Sequence, residues 1–320
     1  MVGVDFSISK FQNVEKKDGK LKRFAKSNIA LATGTVASTV TLPVSHLLIN
    51  KMAAISTKLS PEEITQVNES AKNMLNGLNL DKKGVQIVDY RGSFRDWITG
   101  ALSSTKENLS SSYKEMLGGV TKNNKSIMLK FKKVLKEAFR EMVDPSYAIA
   151  KGKNAAFSPV SNIVIYNHEK LSLAAFHEIG HAFNKNSSKF WSGMQKMRNP
   201  LTAIALLIAM LPAFTKKTVP TEEKELTKFQ KVKNKVRDNA GKLAFVSMLP
   251  IIAEEGMASI RGCKWANANL PKHLSKKVLK SNGIGMCSYV LGAVGVAVMA
   301  MTARAVKDKL ITQKQQNTLG

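Results

Sequence analysis

The chain reads as mainly α with a small β component, an α+β fold in which apolar, membrane-associated helices adjoin a soluble core. Three observations predict this. Uncharged apolar runs at residues 29–49, 200–214 and 284–303 have helical length, and the first and last reach about one bilayer span. Residues 60–79 repeat apolar positions at helical spacing behind a capping signal. Only two short β-branched stretches, 85–90 and 162–167, read as strands.

Composition narrows the partners. A formal net charge of +26 over 320 residues, mostly lysine excess, favours anionic surfaces, either nucleic acid or an acidic membrane face. Aromatic content is 7%, and no helix-turn-helix, zinc-finger or stacking signature accompanies the charge, which disfavours nucleic acid. Cys263 and Cys287 are too few for a disulfide framework and do not form a Cys-x-x-Cys knuckle, so both are expected to be reduced and structural.

From the N-terminus, a polar, Lys-rich segment (residues 10–26) meets the uncharged run 29–49, which contains His46 and Pro43. The charged region is too long for a signal sequence, and no small-x-small cleavage site precedes Lys51. The run is expected to be an uncleaved anchor or a membrane-inserted hairpin, with a buried helix as the plainer alternative. Ser60, Pro61 and Glu63 form a helix start, followed by Ile64, Val67, Ala71, Met74, Leu75 and Leu78 on one face and an end near Gly77 or Asn79. Residues 103–112 read as a loop or helix start. Residues 122–143 read as a basic amphipathic helix that either lies on an anionic bilayer or packs its stripe on the core.

The strand at 162–167 leads into a helix expected over 171–184, and that helix carries His177-Glu178-Ile179-Gly180-His181. On a helix the two imidazoles stand one turn apart on one face, with a carboxylate beside the first. Zn²⁺ takes such nitrogens in a tetrahedron and, in catalytic sites, three protein donors with the fourth position left to water. Glu178 is then placed to take a proton from that water. With five His residues in the chain, the pattern is a specific one. A strand near such a helix can offer its edge to an extended peptide; whether 162–167 is that edge stays open.

Beyond it, residues 200–214 suit a core helix or a membrane-dipping segment, and 215–242 is polar and Lys-rich with a helix start at Thr221. Residues 243–253 are apolar and run into Glu254-Glu255, where a third donor is needed. No third His follows at short spacing, and His273 sits in a Pro-Lys-His-Leu setting that reads as a loop. The final run, 284–303, holds Gly292 and Gly295 for close packing and is followed by Arg304, Lys307 and Lys309, which favour a cytoplasmic C-terminus if it spans.

His177-Glu178-x-x-His181 followed by Glu255-x-x-Ala258-Ser259 resembles the glutamate-type, gluzincin-like zinc metallopeptidases, in particular the membrane-embedded heat-shock and prenyl-protein protease group and a neutral zinc peptidase family. Asn154-Ala155-Ala156-Phe157 is similar to a stretch that precedes the strand in that membrane group, and the likeness covers roughly residues 150–260. Ser259 stands where that group usually has Asp. The resemblance implies a zincin-like core, with His177, His181 and Glu255 as Zn²⁺ ligands, Ser259 as a neighbour of the glutamate, Glu254 as the fallback ligand and Glu178 as the catalytic base. Arg261 and Tyr166 are candidates, on chemistry alone, for steadying an oxyanion.

The resemblance thus implies a zinc-dependent, membrane-associated peptidase acting on polypeptide, with membrane or anionic lipid as a partner and the metal side facing the cytoplasm. Its expected organisation is a basic segment plus anchor over 1–50, a peptidase-like domain over 51–283, and an apolar helix with a basic tail over 284–320. An expectation of a different class is a catalytically inactive membrane-surface or scaffold protein that holds anionic lipid.

Overall fold

The computed structural model describes residues 20–39, 41–90, 145–220 and 225–316. The stretches at 103–112 and 122–143 lie outside the described residues. Those described form nine α-helices and one three-stranded sheet, so the mainly α expectation with a small β component holds.

Helix α1 (Lys20–Ser38) and helix α2 (Thr41–Ser56) cover the first apolar run. Pro43 explains the break between them: its ring would strike the carbonyl four residues back in a continuous helix, yet it is tolerated in the first turn of a new one. Both helices lie along the last helix, α9 (Lys272–Gln316), in the opposite direction. Lys307 Nζ donates to Ser27 Oγ at 2.7 Å, a Cβ on Gly34 would fall 2.7 Å from the Met299 carbonyl, one on Gly295 would fall 2.8 Å from Thr41 Oγ1, and Gly285 faces Met52. A hairpin would have folded α2 back on α1. The structure instead has one broken path along α9, which corrects the hairpin expectation.

The part of the chain that carries the sheet begins with α3 (Pro61–Gly77). Its capping box is complete: Ser60 Oγ accepts from Glu63 N, and Ser60 N donates to the Glu63 carboxylate at 2.9 Å. Strand β1 (Gln86–Asp89) pairs parallel with β3 (Ile163–Tyr166), and β2 (Ala156–Ser158) pairs antiparallel with β3, which makes the order β1-β3-β2. The stretch at 162–167 is therefore the central strand and not an edge, while β2 is an edge. The short α4 (Pro145–Ala150) precedes β2. A 3-10 turn at Ser172–Ala174 opens α5 (Ala175–Ser187), the helix with the two His residues. Val67, Met74, Val164, Phe176 and Ile179 fill the core between α3, the sheet and α5, and Ala266 and Leu274 close it.

Three long helices complete the chain. Helix α6 (Lys189–Phe214) extends the short run at 200–214 backwards through polar residues, because Ser188 caps it and Pro200 and Pro212 are accommodated inside. After α7 (Lys228–Asp238), whose capping box uses Thr227 and Gln230, comes α8 (Ala240–Asn269), unbroken through Pro250. The helix start expected at Thr221 falls in residues 221–224, outside the described residues; the described helix starts at Lys228. His273 lies in the first turn of α9 rather than in a loop, 3.0 Å from Glu63.

Among the described residues, four helical stretches are long and apolar enough to cross a membrane by length and composition: Phe24–Ser56, Lys189–Phe214, Ala240–Asn269 and Lys272–Ile311. Their far ends are gathered by Ala30, Ala213 and Ala303 and by the ion pair of Arg237 with Asp308. From Gly285, level with Met52, to Lys307 the α9 axis rises about 33 Å. The C-terminal lysines and the two His residues therefore sit at opposite ends of the bundle. If the bundle spans, a cytoplasmic C-terminus and a cytoplasmic metal side are alternatives.

Candidate metal centre

Two helices must come unusually close for the sequence motifs to meet, and small residues allow it. Helices α5 and α8 run antiparallel: Phe176 faces Gly262, Gly180 faces Ala258, and Asn184 faces Glu254, each step being one turn. A Cβ on Gly262 would fall 2.6 Å from the Phe176 carbonyl oxygen, and one on Gly180 would strike the Ala258 carbonyl. This register brings Glu255 and Ser259 against His177 and His181.

Three donor atoms then converge. His177 Nε2 and His181 Nε2 lie 3.0 Å apart, and Glu255 Oε2 lies 3.1 Å from the first and 3.2 Å from the second. Tetrahedral donors about 2.1 Å from a zinc ion stand about 3.4 Å from one another, so an outward shift of a few tenths of an ångström would fit the group to the metal. His177, His181 and Glu255 are a group that could hold a metal ion.

The surrounding residues prepare the donors. Glu254 Oε1 receives three hydrogen bonds, from His181 Nδ1 at 2.9 Å, Asn184 Nδ2 at 2.8 Å and Gln195 Nε2 at 2.8 Å. An oxygen that already accepts from two amides is an acceptor, so His181 donates to it through Nδ1 and turns Nε2 into the triangle. His177 Nδ1 pairs with Ser259 Oγ at 3.0 Å. Burial, then the neighbouring His181, pulls the His177 imidazole down to about 4, so at pH 7 it is neutral and has a lone pair to offer. The Arg198 guanidinium binds Glu255 Oε1, the oxygen outside the triangle, and stacks 5.4 Å from the Tyr289 ring centre.

A cavity of about 380 Å³ opens beside His177 and Glu178. Its walls include His46 and Met52 of α2, Asn154 and Ala155 just before β2, and Tyr289 of α9. Ser281 Oγ, in the same wall, is buried without a hydrogen-bond partner among the described residues.

Comparison with protein-family models, with curated proteins and with solved structures finds no match. Geometry alone therefore carries function.

The structure brings His177, Glu178, His181, Glu255 and Ser259 together and turns Glu254 toward His181 instead of into the triangle. It does not bring in the two oxyanion candidates. Tyr166 is buried with its hydroxyl 3.1 Å from Asn68 and its ring stacked on His168. Arg261 lies over Phe183, its guanidinium 3.4 Å from Ser187 Oγ. Arg198, Gln195 and Tyr289 are the residues that sequence reasoning missed. A charge and an amide in the polar first turns of an apolar helix, and a lone tyrosine in a run of small residues, are the signals that could have found them.

Proposed function

We propose that the chain is a zinc-dependent peptidase with a zincin-like core, attached to a membrane by its long apolar helices. One observation carries this reading: two imidazole nitrogens and a carboxylate oxygen meet within 3.2 Å, beside a cavity that also receives Glu178. Ser259 and Glu254 engage the Nδ1 atoms of the two rings, which leaves both Nε2 atoms and Glu255 Oε2 facing one point, and a cation answers that arrangement.

His177, His181 and Glu255 would hold a divalent ion, which when bound would supply Lewis acidity toward a peptide carbonyl and water. Glu178 takes the proton from the attacking water and passes it to the leaving amine. Arg198 occupies the second oxygen of Glu255 and leaves one oxygen for the ion. Tyr289 replaces Arg261 and Tyr166 as the donor to the oxyanion. Asn154, Ala155 and the outer edge of β2 stand where an extended peptide can pair by main-chain hydrogen bonds.

The membrane half of the reading is supported by exposed apolar side chains along the long helices, among them Leu207, Phe214, Val246 and Met301. From Arg198 to Thr215 the α6 axis rises about 26 Å, close to the roughly 30 Å of a hydrocarbon core. The metal centre lies at the soluble edge of that layer.

Purified full-length protein is tested by metal analysis and by cleavage of an unfolded polypeptide. The parent and Glu178→Gln should hold equal zinc, and only the parent should cleave. Equal zinc in the parent, His177→Ala and Glu255→Ala, or undiminished cleavage by Glu178→Gln, would sink the proposal.

A further inference from the structure

We propose that α7 is an in-plane membrane anchor whose outer face docks on anionic phospholipid; this rests on the membrane attachment proposed above. The helix is built inside out. Its inward face is polar: Thr218 N donates to Asn234 Oδ1 at 3.0 Å, Asn234 Nδ2 returns a bond to the Thr218 carbonyl at 2.6 Å, and Lys233 Nζ reaches Thr218 Oγ1 at 2.7 Å. Arg237, fully buried, donates to Asp308 Oδ1 at 2.5 Å and to the Thr215 carbonyl at 3.2 Å. Two of its three apolar side chains face outward, Phe229 at 76% exposure and Val232 at 60%, while Val236 is half-buried. A helix that met only its own protein and water would reverse that assignment.

Spacing sorts the outer surface into two stripes. Phe229, Val232 and Val236 share one, and Lys228, Lys231 and Lys235 share the adjoining one. An apolar stripe flanked by lysines matches a bilayer surface, where the apolar residues enter the acyl boundary and the ammonium groups reach lipid phosphates. Among the described residues, exposed Glu225 lies 4.0 Å from Lys231, and Lys228 and Lys235 are exposed beside it.

Position supplies the second argument. The helix joins the end of α6 to the start of α8, two of the candidate spans, at the end of the bundle remote from the metal centre. Val219, 71% exposed, and Phe214, 51% exposed, continue the apolar surface of α6 toward it, and Leu243 and Val246 continue it along α8. The pair of Arg237 with Asp308 fixes α7 to α9, so the outer stripes are held at the level where the spans emerge.

Replacing Phe229 with photoreactive benzoylphenylalanine tests this in the full-length chain, reconstituted into phosphatidylcholine vesicles with and without phosphatidylserine. Phe229 is exposed, so folding should be unaffected. Irradiation should give a lipid adduct, several-fold richer with phosphatidylserine. The combined Lys228→Gln, Lys231→Gln and Lys235→Gln variant should lose that preference, because each lysine near an anionic surface shifts the equilibrium about fivefold. A chain that resists carbonate extraction yet forms no lipid adduct, or forms one with protein alone, overturns the anchor and leaves the spans standing. An adduct indifferent to headgroup and to the lysines overturns the anionic assignment. If carbonate extracts the chain while the phosphatidylserine-dependent adduct still forms, the anchor stands and the spanning reading falls.

Discussion

Glu254 Oε1 lies 2.9 Å from Nδ1 of His181, and this contact divides the work of two adjacent glutamates. Successive residues on a helix point about 100° apart, so only one of the pair can enter the donor triangle; the other lies against the back of an imidazole. Glu254→Gln should weaken zinc binding about 10- to 100-fold while keeping one ion per chain at saturation. Glu255→Gln should lose the ion. A zinc competition titration of both variants separates the roles, and the opposite order of effects would exchange them.

Arg198 should behave as a positioning residue. Arg198→Met keeps the length of the side chain but frees Glu255 Oε1 from its cation. A buried carboxylate left without that partner is destabilised, so the expected outcome is a weaker zinc affinity together with lower stability of the zinc-free protein, by about 3 kcal/mol. Arg198→Lys should restore part of both, since a lysine keeps the charge without the planar fork. Thermal unfolding with and without chelator reads the two effects apart, and unchanged zinc affinity in Arg198→Met would refute the role.

The long elements were legible because their signals are local. The α3 cap is written in Ser60, Pro61 and Glu63, and the His-bearing face of α5 in a four-residue spacing. The pairing of Glu255 with that face was legible through a resemblance, and its geometry depends on Gly180 and Gly262, whose meaning appears only when another backbone is beside them. Strand β2 was missed because three residues hold too little periodicity. Whether residues 29–49 form an anchor or a hairpin stayed open because Pro43 marks a break equally in a hairpin and in a bent path. Arg198 and Tyr289 come from helices far apart in sequence, and no spacing rule links them to His177.

The close approach of α5 and α8 predicts an asymmetry among glycines. Gly262→Ala places a methyl 2.6 Å from a carbonyl oxygen of α5, and backbone cannot retreat cheaply. The expected cost is about 1–3 kcal/mol, with zinc affinity reduced because the donors come from both helices. Gly256→Ala, on the same helix, meets only Met286 Cε at 3.5 Å and should be neutral or stabilising by up to about 1 kcal/mol through helix propensity. Equal effects of the two substitutions on unfolding and on zinc titration would remove the packing account.

Tyr289→Phe isolates a single hydroxyl at the cavity wall. If that hydroxyl donates to the oxyanion, turnover should fall about 10²- to 10³-fold with zinc content and KM little changed. A rise in KM alone would assign Tyr289 to substrate contact instead.

The surface cluster where α3 meets α9 gives a prediction in pH. The Glu63 carboxyl is held below its ordinary value of 4.5 by its hydrogen bond to Lys277 and by the Ser60 backbone N–H. A lowered carboxylate value means that the folded chain releases the proton more readily than the unfolded one. The resulting stabilisation is complete above the ordinary value and disappears as pH falls through the lowered one. Gln at position 63 can still complete the capping box, so Glu63→Gln removes the charge while keeping the cap. At pH 7 the variant should melt below the parent, and the two melting curves should converge as the medium becomes more acid than pH 4.5. A constant gap between them across that range would show that the ion pair with Lys277 adds no pH-dependent stability.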